Sequence, residues 1–468
     1  MGSSEKSKNV TYRFPFAQHV EDVKVPVLVT YPTDAGCTKP AEGWKTIIFQ
    51  HGITTDRTAS LGFANSMAAP AAGCFATVAM DLPTHGVDAY TTERNHTDEN
   101  PLPKRYAAFN GFNVAGYVEA TDPTKTPFAA TLAALAEANV ATYADLQERH
   151  GNLALNDEQE TVAMNFEAGN ESGNSGDMFI NLSNFQQTRD HLRQAVMDIL
   201  NLNASIGDMD IDGDENTVDL DANNLHFAGH SLGAITGLTA VAVNNAIAKN
   251  PAIAVKELNE FKTAVLANPG GQLPKLLENS PNFSAKILPG LAAAAGLTQG
   301  MADLEKFFGV FQAPLDSVDP INFTDLLKST ETPVLMFEMV GEGAVSAADQ
   351  NLDPNAGPVT GLPDILISAG GYPADTVVPN NANPALNGVE TGKSYLAGTD
   401  PLIKQLDLVE VAPTPTNQAG SLLVTKFDQG THGTFSSADA PSVFKEMIEK
   451  TSTFMQGNGV GVQAPPQP

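Results

Sequence analysis

Cysteine, tryptophan and positive charge are all scarce in this chain: 468 residues carry two cysteines, one tryptophan and 26 lysines and arginines against 54 acidic residues. The formal charge of −28 repels phosphate backbones and anionic surfaces at long range. Nucleic acid is not an expected partner, and a 7 % aromatic content with Trp44 as the one indole offers no stacking platform for it. No run of about 18 apolar residues occurs, so no transmembrane segment is expected. The opening "MGSSEKSKNV" lacks the apolar core of a secretion signal and reads as a leader outside the fold. Cys37 and Cys74 lie near the starts of two apolar, strand-like runs. If those strands are neighbours the pair can form a disulfide; otherwise they are two buried thiols.

A hydrophobic content of 42 % is ample for a large core. "DVKVPVLVTYP" (Asp22 to Pro32) alternates as an outer or antiparallel strand does. "WKTIIFQHG", a helix-like "ASLGFANSMAAPAAG" and "CFATVAMDLPTHG" then read as a βαβ unit of a parallel sheet. An excursion over 90–183, rich in Asn, Thr, Asp and Glu, interrupts the rhythm. An amphipathic helix follows with Phe185, Leu192, Val196, Ile199 and Leu200 on one face. A second excursion, 272–330, carries apolar stretches beside "FKTAVLANPGG". The chain returns to the sheet in "TPVLMFEMVGEG" and "GSLLVTKFDQGTHG", and a last helix precedes a Gly/Pro/Gln tail. The expected organisation is one α/β catalytic domain over 12–455, with a mostly parallel sheet flanked by helices. The insertions 90–183 and 272–330 act as cap or lid, and 456–468 forms a disordered tail.

"LHFAGHSLGAITG" places Ser231 between Gly229 and Gly233, after an apolar strand and before a small-residue helix. A nucleophile elbow needs this pattern: the strand ends in a turn so tight that the serine projects from the sheet edge, and the flanking positions must be small. Gly229, His230 and Gly233 form that elbow. A serine hydroxyl needs a base, and in this fold the order is Ser, acid, His. Of nine histidines only His432 follows Ser231, which makes it the expected base. The acid must lie between them, among Glu338, Glu342, Asp349, Asp353, Asp364 and Asp375. Asp375 is preferred because "PADTVVPNNA" resembles the Asp-x-Val-x-Pro turn in which many hydrolases of this fold place it. The oxyanion hole is expected from the N–H groups of Leu232 and Ile53, with His51 bracing the second loop through a side-chain hydrogen bond.

With "FQHGITTDR", "VAMDLPTHG", "TRDHLRQAVMD", "HFAGHSLGAITG", "DPINF", "DTVVPN" and "THGTF", the chain resembles the catalytic part of the bacterial extracellular, virulence-factor-type lipases, a family that includes cell-surface lysophospholipases. The resemblance runs from Tyr12 to Phe454. It implies an α/β-hydrolase fold and carboxylic-ester hydrolysis through the triad Ser231, Asp375 and His432. It also implies a lipidic or other small ester substrate and a secreted or cell-surface location. Family members usually carry a further N-terminal domain and an export or lipoprotein signal. Within enzymes the rival is a short-chain esterase or peptidase on the same fold; outside them it is a calcium-stabilised, non-catalytic binding module.

The chemistry requires no cofactor. "DMDIDGDENTVD" fits a structural calcium loop, with carboxylates at Asp208, Asp210 and Asp212, a sharp turn at Gly213, a carbonyl from Asp214 and a carboxylate from Asp219. The alternative is a solvated acidic turn.

Overall fold

A computed structural model describes residues 22–86, 148–155, 160–164, 173–214, 216–253, 257–341, 372–381, 385–386, 389–390, 396–411 and 418–462. The first strand, β1 (Val27–Thr30), is half-exposed, as its alternating sequence requires. The next two, β2 (Trp44–Gln50) and β3 (Ala76–Met80), are buried on both faces except at Lys45. Such continuous apolar runs suit parallel strands covered by helices on either side. Between them lies the short helix α1 (Leu61–Met67).

After a small hairpin, β4 (Leu153–Leu155) with β5 (Thr161–Ala163), the long helix α2 (Phe185–Ser205) starts at Asn184. The Asn184 side chain accepts the Gln187 N–H at 3.3 Å. The nucleophile strand β6 (Leu220–His230) runs into α3 (Leu232–Ala248), followed by β7 (Phe261–Ala267). The second insertion is built of helices joined by short loops: α4 (Leu273–Asn279), α5 (Pro281–Ala295), α6 (Ala302–Leu315), a 3-10 turn (Pro320–Phe323) and α7 (Thr324–Ser329). Then follow β8 (Val334–Met339), two-residue strands β9 (Ala385–Leu386) and β10 (Val389–Glu390), α8 (Thr399–Gln405), β11 (Val409–Glu410), β12 (Gln418–Ala419), β13 (Leu422–Phe427), α9 (Thr434–Ser437), α10 (Pro441–Gln456) and β14 (Gly461–Val462).

Eight strands form the main sheet in the order β1-β3-β2-β6-β7-β8-β13-β11. All neighbours pair parallel except β1, which runs antiparallel to β3. One apolar core joins the sheet to α2, α3 and the insertion helices through Leu192, Leu238, Leu276 and Phe311. The other joins the opposite face to α1 and α10 through Phe63, Phe435, Phe444 and Met447. This is the α/β-hydrolase fold. Its parallel strands deliver the chain turns after β2, β6, β7, β8 and β13 to one edge of the sheet.

Two details depart from the sequence expectation or resolve it. The tail was expected to be disordered from 456, yet 457–462 fold back and β14 pairs with β12. Gly459 makes this return: it sits at φ 78°, and a side chain there would run into Pro333. Most of the first insertion, 90–147 together with 156–159 and 165–172, lies outside the described residues.

Cys37 and Cys74 are joined in a disulfide between the segments flanking β1 and β3, their Cα atoms 5.8 Å apart. The bridge spans a sequence separation of 37 residues, and the restriction of the unfolded chain by a loop of that size is worth about 4 kcal/mol. Replacing both cysteines by serine is expected to lower the urea-unfolding free energy by about 2–4 kcal/mol. An unchanged midpoint would show that the bridge adds nothing to the strand pairing around it.

Candidate active site

Ser231 has φ 54° and ψ −122°, a strained conformation for a non-glycine residue, and its N–H donates to the Ala267 carbonyl at 2.9 Å. The elbow's glycines are dictated by space. A Cβ at Gly229 would lie 2.7 Å from the Gly233 carbonyl oxygen, and one at Gly233 would collide with the Gln50 and His51 carbonyls. Leu232 opens α3, so its N–H is among those that an α-helix leaves without an internal acceptor.

The loop after β2 presses against the same point: a Cβ on Gly52 would sit 3.0 Å from Ser231 Cβ. Its orientation is fixed by His51. Leu82 N–H donates to His51 Nε2 at 3.0 Å, so the ring proton is on Nδ1, which donates to the Gly52 carbonyl at 2.7 Å. Thr55 Oγ1 donates to that carbonyl as well, at 2.9 Å. Because the peptide unit is planar, holding the Gly52 carbonyl fixes the direction of the Ile53 N–H. Burial pulls the His51 pKa down to about 4, which keeps the ring neutral in this bracing role.

His432 Nδ1 donates to Asp375 Oδ2 at 2.6 Å. The other oxygen, Oδ1, accepts the Val377 and Val378 N–H groups at 2.8 and 2.9 Å. The Asp-x-Val-x-Pro turn thus uses its own backbone to aim the carboxylate at the histidine. Of the other acid candidates, Glu338 lies on β8, paired with Lys426 at 2.8 Å and with its pKa pushed up to about 7 chiefly by burial. Glu342, Asp349, Asp353 and Asp364 fall outside the described residues.

The His432 turn is tied to the Ser231 elbow through neighbouring residues. His230 Nε2 donates to the His432 carbonyl at 2.6 Å, and their rings lie 4.9 Å apart. Asn268 Nδ2 donates to the same carbonyl at 2.9 Å. The outer side of the turn hangs on Asp439, whose carboxylate accepts the Thr431 and Thr434 hydroxyls at opposite oxygens. Asp439 is half-buried, and desolvation of its carboxyl raises its pKa against the effect of those two donors. Beneath the Gly52 loop, the Arg57 guanidinium pairs with buried Asp81 and makes two bonds to Glu148, at 2.7 and 2.8 Å. Asn268, Asp439 and the Arg57–Asp81 pair are absent from the sequence reading. Arg57 and Asp81 do fall inside "FQHGITTDR" and "VAMDLPTHG", but neither motif says that they touch.

An apolar cavity of about 20 Å³ adjoins Ser231, lined by Ile53, Ile180, Leu276, Phe283 and Val378 among others. That is space for about one water molecule. Its walls come from the Gly52 loop, the acid turn, and helices α4 and α5 of the second insertion.

The acidic loop differs from its expectation. Asp210, Asp212 and Asp219 bring one carboxylate oxygen each within 4.8 Å of one another, but Asp208 and Asp214 are not in that group. The Asp214 carbonyl, expected as a ligand, accepts the Thr217 N–H at 3.0 Å. Lys39 places its ammonium on Asp212 at 2.9 Å and on Asp219 at 2.5 Å. The loop therefore already holds a cation of its own, from a residue distant in sequence.

No protein-family model matches the chain, and neither does any curated protein sequence. Solved structures are similar in fold at low identity. A puromycin-hydrolysing peptidase from Mycobacterium tuberculosis is 12 % identical with a TM-score of 0.39; the match covers 94 % of this chain but 38 % of that one. A monoacylglycerol lipase from Paleococcus ferrophilus is 10 % identical, with a TM-score of 0.32 and coverage of 93 % and 100 %. Est1E from Butyrivibrio proteoclasticus, solved with ferulic acid, is 12 % identical, with a TM-score of 0.35 and coverage of 91 % and 95 %.

Proposed function

We propose that this chain is a serine carboxylic-ester hydrolase of the lipase and esterase type, working through an acyl-enzyme on Ser231. The observation that carries the reading is the convergence of a strained serine elbow and a 2.6 Å His432–Asp375 hydrogen bond at one sheet edge. In this account His432 takes the Ser231 proton as the hydroxyl attacks the ester carbonyl, and Leu232 and Ile53 N–H groups hold the oxyanion. The alcohol leaves with the proton from His432, and water repeats the route on the acyl-enzyme. Asp375 orients the imidazole and stabilises its charged form.

An all-apolar wall beside Ser231 supports an aliphatic acyl group, in line with the resemblance to extracellular lipases and lysophospholipases. The size of the cavity, about 20 Å³, favours the short-chain esterase reading for the structure as it stands. A longer chain requires α4 and α5 to shift. The second insertion, and with it 90–183, is assigned the part of a cap. Hydrolysis of p-nitrophenyl esters from two to sixteen carbons decides between the readings. A peak at two carbons asks the least of this pocket, and a peak at eight or more requires α4 and α5 to move. No turnover on any chain length would remove the esterase reading and leave a binding module.

The disulfide supports export to an oxidising compartment, either secreted or at the cell surface. Among the described residues no helix is long and apolar enough to cross a membrane. A structural calcium is proposed in a narrower form, on Asp210, Asp212 and Asp219 in competition with Lys39. Millimolar calcium is then expected to raise the unfolding midpoint of Lys39→Met more than that of the parent. Equal responses in both proteins would remove the ion from the account.

A further inference from the structure

The His432 main-chain carbonyl accepts two side-chain donors, one from each strand that borders the elbow. His230, at the end of β6, supplies Nε2–H at 2.6 Å, and Asn268, just after β7, supplies Nδ2–H at 2.9 Å. Both side chains are buried. Neither donor is needed by regular secondary structure. The backbone around them is already paired, with Ser231 N–H on Ala267 and Asn268 N–H on Phe337 at 3.0 Å. Asn268 holds a left-handed φ of 51° to make its contact. A turn that follows β13 is thus tied to the two strands that carry the nucleophile and its neighbour.

We propose that His230 and Asn268 are positioning residues that clamp the His432 carbonyl and so fix the base turn against the Ser231 elbow. Asp375 sets the rotation of the imidazole through Nδ1, while the clamp sets where its backbone stands. The buried His230 ring suits the task. Desolvation holds its pKa near 3, so it stays neutral, with its proton on Nε2 and directed at the carbonyl. The catalytic part of the inference rests on the ester-hydrolase reading; the clamp itself does not.

The test compares His230→Leu, His230→Gln and Asn268→Gly with the parent, glycine being chosen because it accepts the positive φ. A base displaced by about 1 Å costs about 10²-fold in rate. His230→Leu is therefore expected to lower kcat by about that factor, with KM within about twofold. Asn268→Gly is expected to do the same more weakly, and His230→Gln, which restores a donor, to recover most of the loss. An independent readout is the downfield proton resonance of His432 Nδ1 in its hydrogen bond to Asp375, which is expected to broaden in His230→Leu and to persist in His230→Gln. The clamp is overturned if kcat and the resonance are unchanged in both His230→Leu and Asn268→Gly. It is also overturned if His230→Gln is as impaired as His230→Leu, since ring packing would then be what matters. A parent that hydrolyses no ester would refute the functional reading alone, because the resonance still decides the clamp.

Discussion

Ser231→Ala is expected to reduce kcat/KM on a p-nitrophenyl ester by at least about 10⁴-fold while leaving the unfolding midpoint close to that of the parent. The size follows from chemistry. In the proposed mechanism the hydroxyl is the group that bonds the acyl carbon, and without it only binding and the oxyanion donors would act on the ester. The small stability change follows from the local structure. The elbow is held by its main chain, Ser231 N–H to Ala267 and the Gly229 and Gly233 contacts, and alanine meets the same φ of 54° at similar strain. Asp375→Asn is expected to cost about 10⁴-fold, because an amide cannot hold the ring with its proton on Nδ1 while stabilising the imidazolium. A Ser231→Ala protein that kept activity within tenfold of the parent would mean that another group is the nucleophile.

The largest expected loss of stability is that of Arg57→Leu. Asp81 is fully buried, and the Arg57 guanidinium and main-chain N–H both reach its carboxylate. Removing one partner of a buried pair costs about 3–5 kcal/mol, because the other charge stays where water cannot reach it. The two bonds to Glu148 are lost with it.

The pH dependence of this deficit has a definite sign. Burial pushes the Asp81 pKa up to about 7 against the pull of Arg57, and loss of the guanidinium moves it further in the same direction. A raised carboxyl pKa means that the folded state binds a proton the unfolded state does not, between the unfolded value near 3.8 and the folded value. The deficit of the variant should therefore be largest at pH 8.5 and shrink toward pH 5.5. Buried histidines such as His51, His191, His226 and His230, with pKa values of about 3 to 4, destabilise parent and variant together in acid. The quantity to read is the difference between the two in urea unfolding. A deficit that is flat or grows in acid would show that Asp81 is not the group left unpaired.

The sheet was legible in the sequence because its buried strands are continuous apolar runs and its outer strand alternates. β11 was not, being two exposed residues, Val409 and Glu410, that pair only at their register with β13. Ser231 stood out because its glycines answer to a steric demand that any such elbow makes. His432 was picked out by chain order, and Asp375 by the likeness of "PADTVVPNNA" to an Asp-x-Val-x-Pro turn; the N–H groups that aim its carboxylate and its bond to His432 came only with the fold. What the sequence could not show are contacts between distant segments. Lys39 reaches across 180 residues to Asp219 and occupies an acidic loop that, read locally, resembles a calcium site. Asn268 and Asp439 are ordinary loop residues until the fold sets them on either side of the His432 turn. The return of the tail depends on space beside Pro333, which no local pattern announces.

The most direct test of the central claim is mass spectrometry of the protein quenched during turnover of a p-nitrophenyl ester, or after exposure to a fluorophosphonate. The account predicts one acyl or phosphonyl group per chain, on the peptide containing Ser231, and none on Ser231→Ala. A label on another residue, or steady ester turnover with no adduct and no burst of p-nitrophenol, would contradict it.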